Sequence, residues 1–169
     1  MGIGQRRASS RPKWKASRSL HAEATIITVS TFDLNRYVSA QRDIYATALA
    51  EVRAGKKRSH WMWFIFPQFR GLGSSEMSLY YAIGSIEEAK AYLDHPILGS
   101  RLFEITEAMN SSVGSDPTSI LGTIDAAKFR SSMTLFDCIG EGQNCFRFAI
   151  DKFFKGVVDE ETVRLITNA

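Results

Sequence analysis

The chain has 169 residues, 44% of them hydrophobic and 23% charged, with a formal charge of +3 and a pI near 8.9. That length and apolar content suit one folded domain and exclude a disordered chain. No run of about 18 apolar residues occurs, which excludes a membrane-spanning helix. Two cysteines, Cys138 and Cys145, are too few for a disulfide framework and point to a reducing, cytoplasmic setting.

The basic excess is local. Residues 1–23 hold six basic side chains (Arg6, Arg7, Arg11, Lys13, Lys15, Arg18) against Glu23 alone, leaving 15 basic and 17 acidic residues in 24–169. Residues 1–30 therefore read as a disordered basic tail, with an organellar transit segment as the alternative. The body, at −2, is a poor match for a polyanion, so nucleic acid is disfavoured as a partner.

From Phe32 to Ala54, Tyr37, Ile44, Tyr45, Ala48, Leu49 and Val52 recur at helical spacing, and Gly55 supplies a stop. His60 to Phe69 (HWMWFIFPQF) is apolar on all sides and fits a buried strand or a short helix equally. Ser85 and Glu88 form a capping box that opens a helix through Leu93. Pro96 suits the first turn of the next helix, which runs to about Met109 with Leu98, Leu102, Ile105 and Met109 inward. Asp116-Pro117 starts a short turn to Leu121. Asp125 to Ile139 is helical with Ala126, Phe129, Met133 and Phe136 as its apolar stripe. Cys145 to Lys155 is another helix, stopped by Gly156, and Asp159 caps a last one carrying Val163 and Ile166. The fold class expected is all-α, a single compact multi-helix domain over residues 31–169.

Two stretches carry candidate chemistry. Residues 52–75 contain five basic residues (Arg53, Lys56, Lys57, Arg58, Arg70), five aromatics (Trp61, Trp63, Phe64, Phe66, Phe69) and no acid. Cations beside aromatic faces suit phosphate or base binding, while the plainer reading is a core segment next to a solvated helix end. His60 and Gln68 bracket the apolar run, and His60 is the one acid–base candidate. In the second stretch, Ala127, Ser131, Thr134 and Cys138 share one helix face, with Asp125, Lys128 and Ser132 in the adjacent row. That pattern fits a polar site or close helix packing. Lys128 and Ser131 reverse the Ser-x-x-Lys order of some acyl-transfer enzymes. No zinc spacing, dinucleotide fingerprint, P-loop or nucleophile elbow occurs, so neither a metal nor a cofactor is expected.

Several of these strings together resemble one family. They are Ala40-Gln41, His60 to Gln68 (HWMWFIFPQ), Gly71 to Gly73, Ala91 to Gly99 (AYLDHPILG) with Arg101-Leu102, and Lys128 to Phe136 (KFRSSMTLF). The chain resembles an uncharacterised microbial family known only as a domain of unknown function, over roughly Phe32 to Ile166. The resemblance implies an all-α fold and no established reaction. It picks out Gln41, His60, Trp61, Trp63, Gln68, Arg70, His95, Lys128, Arg130, Ser131, Ser132 and Thr134 as polar or aromatic motif positions. Ser74 and Thr123-Ile124 depart from the family pattern. Relatives are sometimes labelled calpastatin, a disordered inhibitor that this aromatic-rich helical composition rules out.

The functional expectation is a pocket between residues 60–70 and 128–134 for a small anionic or nucleotide-like ligand. Arg70, Lys128 and Arg130 would hold the anion, Trp61 or Trp63 would stack, and Gln68, Ser131, Ser132 and Thr134 would complete the lining. The alternative is a protein-interaction or structural module with a protein partner.

Overall fold

The computed structural model describes residues 31–142 and 144–169; the expectations for the basic tail fall outside them. Among the described residues there are ten helices: α1 (Asn35–Gln41), α2 (Tyr45–Arg53), α3 (Met62–Ile65), α4 (Glu76–Tyr80), α5 (Ile86–Asp94), α6 (Leu98–Asn110), α7 (Pro117–Leu121), α8 (Thr123–Ile139), α9 (Asn144–Phe154) and α10 (Glu160–Thr167). The one sheet-like feature described is an isolated parallel bridge, Phe69 to Ile83. The fold is all-α and compact, as expected.

The longest helix, α8, organises the rest, packing against α3, α5, α7, α9 and α10. Its apolar stripe is nearly sealed, with Phe129, Met133 and Phe136 at 0% exposure. Phe129 meets Phe66 edge-on at 4.9 Å, and Phe136 lies 5.6 Å from Tyr92 and 5.7 Å from Phe146. Each such ring contributes about 1.5–3 kcal/mol by burial, and the edge contacts add roughly 0.5–1.5 kcal/mol per pair. This aromatic column fixes α3, α5 and α9 around α8.

Most helix starts follow the sequence signals. Ser85 Oγ accepts from the Glu88 N–H, Asp116 caps α7 with Pro117 at its start, and Asp159 caps α10. The Glu88 carboxylate turns away from a reciprocal bond to Ser85 and accepts instead from the Gly84 N–H at 2.7 Å and from Arg36 at 2.6 Å.

Two local features differ from the periodicity. The helix expected over Phe32–Ala54 is two helices separated by a turn at 42–44. The physical reason lies in Gln41, whose amide donates to Phe64 O at 2.7 Å and to Tyr92 Oη at 3.0 Å inside the core. The turn then redirects α2 so that Tyr45 Oη reaches Arg101 O and Glu104 on α6. The second feature is α4, which sits in an excursion whose foot is pinned by Arg70 N–H to Ile83 O and Ile83 N–H to Gln68 O, at 2.8 and 2.9 Å. No residue of α4 is buried, so the apolar pattern gave it no signal.

Candidate functional site

The apolar run 60–69 resolves into the short helix α3, placed directly against α8. Trp61 is completely buried, and its indole N–H donates to Glu51 Oε2 at 2.8 Å. The same carboxylate accepts from the Arg58 and Ser59 N–H groups and from Ser59 Oγ. Burial alone would raise the Glu51 carboxyl, but these four donors bring it down to about 2. The chain after α2 is thereby latched back onto α2.

That latch places Lys57 beside the start of α8. Its backbone N–H donates to Ile120 O at 2.8 Å, and its ammonium lies 2.8 Å from Asp125 Oδ2. Lys128, three residues along α8, donates to Asp125 Oδ1 at 3.1 Å. Each ammonium also faces an indole ring, Lys57 that of Trp61 at 5.1 Å and Lys128 that of Trp63 at 4.7 Å. The three charged side chains keep only 11%, 18% and 21% of their exposure for Lys57, Asp125 and Lys128. Burial pushes the Asp125 carboxyl upward, yet the two lysines outweigh it and hold the group below the ordinary aspartate range. Two cations thus share one carboxylate in a partly dehydrated seat, leaving one positive charge uncompensated.

The two sequence stretches therefore meet, through Phe66 against Phe129 in the core and through Trp63 with Lys128, and of the expected site residues this brings together Trp63 and Lys128. Arg130, Ser131 and Thr134 face another neighbour. Arg130 donates to Val157 O at 2.8 Å and Val158 O at 2.6 Å, and Ser131 Oγ to Asp159 Oδ2 at 3.0 Å. The Asp159 N–H donates to Thr134 Oγ1 at 2.9 Å. Arg70 is exposed and its guanidinium lies against Gly84, where an added Cβ would come within 3.3 Å of it. Gln68 is half-buried at the foot of the excursion, and His60 is exposed. Ser132 is wholly buried with its hydroxyl unpartnered, as is the buried indole N–H of Trp63.

A cavity of about 430 Å³ includes Arg130, Ser131, Asp159, Phe153 and Phe154, and a hollow of about 390 Å³ runs from Leu121 to Asp125 at the start of α8. Neither is lined by residues 60–70. Among the described residues no group of three or more His, Cys, Asp or Glu side chains is placed to hold a metal, and no helix is long and apolar enough to cross a membrane. Lys57 lies within a basic cluster of the sequence and Asp125 in a row with Lys128, and neither is among the residues expected at the site. The three-residue spacing of Asp125 and Lys128 was the available signal; the approach of Lys57 is a property of the fold.

Residues 31–166 match the family model described as "Protein of unknown function (DUF1810)", and the chain belongs to that family. It is similar to a solved structure, the conserved hypothetical protein Rv1873 from Mycobacterium tuberculosis, at 46% sequence identity and a TM-score of 0.79. That match covers 80% of this chain and 97% of the other. No curated protein matches the chain.

Proposed function

We propose that residues 31–169 form a binding domain for a small anionic ligand, seated where α3 meets the start of α8. The observation that carries this reading is the pair of ammoniums, Lys57 and Lys128, sharing Asp125. A partly buried charge without a counter-charge is costly, and an anion arriving there removes the cost. At an effective dielectric near 20, a unit anion about 4 Å away gains ~4 kcal/mol before its own dehydration is counted. The two free thiols, one of them exposed, support action in a reducing, cytoplasmic compartment.

The experiment is a thermal-shift screen with inorganic phosphate, phosphosugars, nucleotides and ADP-ribose-like compounds. A ligand at about a hundred times its Kd stabilises by ~2.7 kcal/mol, on the order of 5–10 °C for a domain of this size. The shift is expected in the native protein and lost in Lys57→Met and Lys128→Met, which keep the apolar stems. A flat screen, or a shift that survives both substitutions, refutes the reading. One observation favours the protein-interaction alternative: Met77, Leu79 and Tyr80 on α4 are 38%, 56% and 58% exposed. A flat screen would transfer the case to that surface.

A further inference from the structure

The polar groups around the lysine seat restrict what kind of anion fits it, given that the anion reading above holds. Stacking of a nucleobase needs an open aromatic face. Trp61, Phe64 and Phe66 are 0%, 6% and 0% exposed, so none of them offers one. Trp63 is half-buried, and Lys128 already occupies a face of its ring. The aromatics of this motif are therefore committed to the core and to the lysines.

The hydrogen-bonding inventory points elsewhere. The Trp63 indole N–H is enclosed with no acceptor, a state that costs about 1–3 kcal/mol when nothing compensates it. Ser132 Oγ, one turn beyond Lys128 on the same row of α8, also lacks a partner on a fully buried residue. Each ammonium has three donors and spends one on Asp125. The seat thus holds spare N–H donors, and its one acid, Asp125, is engaged through both oxygens by the two lysines. The Lys128 ammonium lies 4.7 Å from the centre of the Trp63 ring, so the indole N–H stands beside the seat, and an anion reaches it once the surrounding side chains shift.

We propose that the ligand is a compact oxyanion, a phosphate or carboxylate group recognised by Lys57, Lys128 and the indole N–H of Trp63, and that no base is read. Trp63 is the neutral specificity element: it requires an acceptor oxygen, whereas the lysines require only negative charge.

The test is a titration of the full chain, carrying 15N-labelled tryptophan, followed by the indole N–H resonances at constant ionic strength. Trp63→Phe identifies the Trp63 signal. The probes are inorganic phosphate, acetate, AMP and adenosine. The Trp63 signal is expected to move with phosphate and AMP at Kd values within threefold of each other, to move with acetate as well, and to stay still with adenosine. Lys128→Met should weaken phosphate at least tenfold. Binding of AMP more than tenfold tighter than phosphate, or any response to adenosine, shows that the base is read and overturns this inference while the anion reading stands. Phosphate binding that depends on Lys128 but leaves the Trp63 signal still removes Trp63 from recognition and likewise overturns it. If none of the anions binds in either the titration or the thermal assay, the anion reading itself falls. Should Trp63→Phe fail to fold, Lys57→Gln is the second check: loss of the phosphate response with an unchanged unliganded spectrum supports the seat, and an undiminished response overturns it.

Discussion

Ser131 and Asp159 stand 28 residues apart and meet at 3.0 Å, the serine hydroxyl of α8 donating to the carboxylate that caps α10. Asp159 also accepts from the Thr162 N–H at 3.1 Å and from the Thr162 hydroxyl, and its own N–H donates to Thr134 Oγ1. Arg130 holds the two preceding carbonyls. One face of α8 is therefore the dock for the last helix. Asp159→Ala removes the cap and one of the two acceptors open to the Ser131 hydroxyl, which keeps Ala127 O at 3.1 Å, a loss of ~1–2 kcal/mol. Urea denaturation should show the lower midpoint, with the earliest hydrogen exchange in 157–167. An unchanged midpoint would mean that α10 docks through Leu165 and Ile166 alone.

The corner between α5 and α6 is the tightest backbone approach described. A Cβ at Gly99 would stand 1.9 Å from Leu93 O, which is backbone and has no side chain to swing away. Gly99→Ala normally favours a helix interior by about 0.5–1 kcal/mol, so the usual sign reverses here. Forcing the corner open costs at least ~1–3 kcal/mol. A drop in Tm of several degrees is expected, and a rise would show that the corner relaxes freely.

How much of this was legible beforehand depended on which physical signal each residue carried. Asp116-Pro117, Ser85 with Glu88, and Asp159 announce helix starts through local chemistry that tertiary packing did not override. The two polar rows of α8 were also legible from spacing, and they face different neighbours as two distinct rows should. What spacing did not carry was destination. Arg70, Lys128 and Arg130 read alike as cations near a motif, yet one lies by Gly84, one on Asp125 and one on the carbonyls of 157–158. Lys57 reaches the site through the Glu51 latch, a long-range contact with no sequence period. The solvent-facing helix α4 has no buried face and so left no pattern to read.

The Glu51 latch gives the stability a definite acid limit. Its carboxyl titrates at about 2 in the folded chain, against an ordinary value of 4.5. A lowered folded pKa contributes stability that is complete above 4.5 and is lost as pH falls from 4.5 towards 2. The group is part-exposed, so solvent screening limits the contribution to ~1–2 kcal/mol. Glu51→Gln should be less stable than the native chain at pH 7 and should lose less between pH 4.5 and 2.5. Parallel pH profiles for the two proteins, by denaturant midpoint, would place the acid sensitivity in other carboxylates.

The two thiols invite a last measurement, because neither is set up to react. Burial, and then the nearby Glu107 carboxylate, pushes the Cys145 thiol up to about 11, and burial with Asp137 raises Cys138 as well. Only the thiolate is nucleophilic, so at pH 8 Cys145 should be mostly inert. Alkylation by iodoacetamide is expected at least tenfold slower at Cys145 than at a free cysteine under the same conditions, with the rate still climbing at pH 9. Exposed Cys138 should react first of the two. Denaturant should abolish the difference, since both shifts come from the folded surroundings. A fast, pH-independent reaction at Cys145 would mean that its thiolate is stabilised, contrary to a half-buried position near a carboxylate.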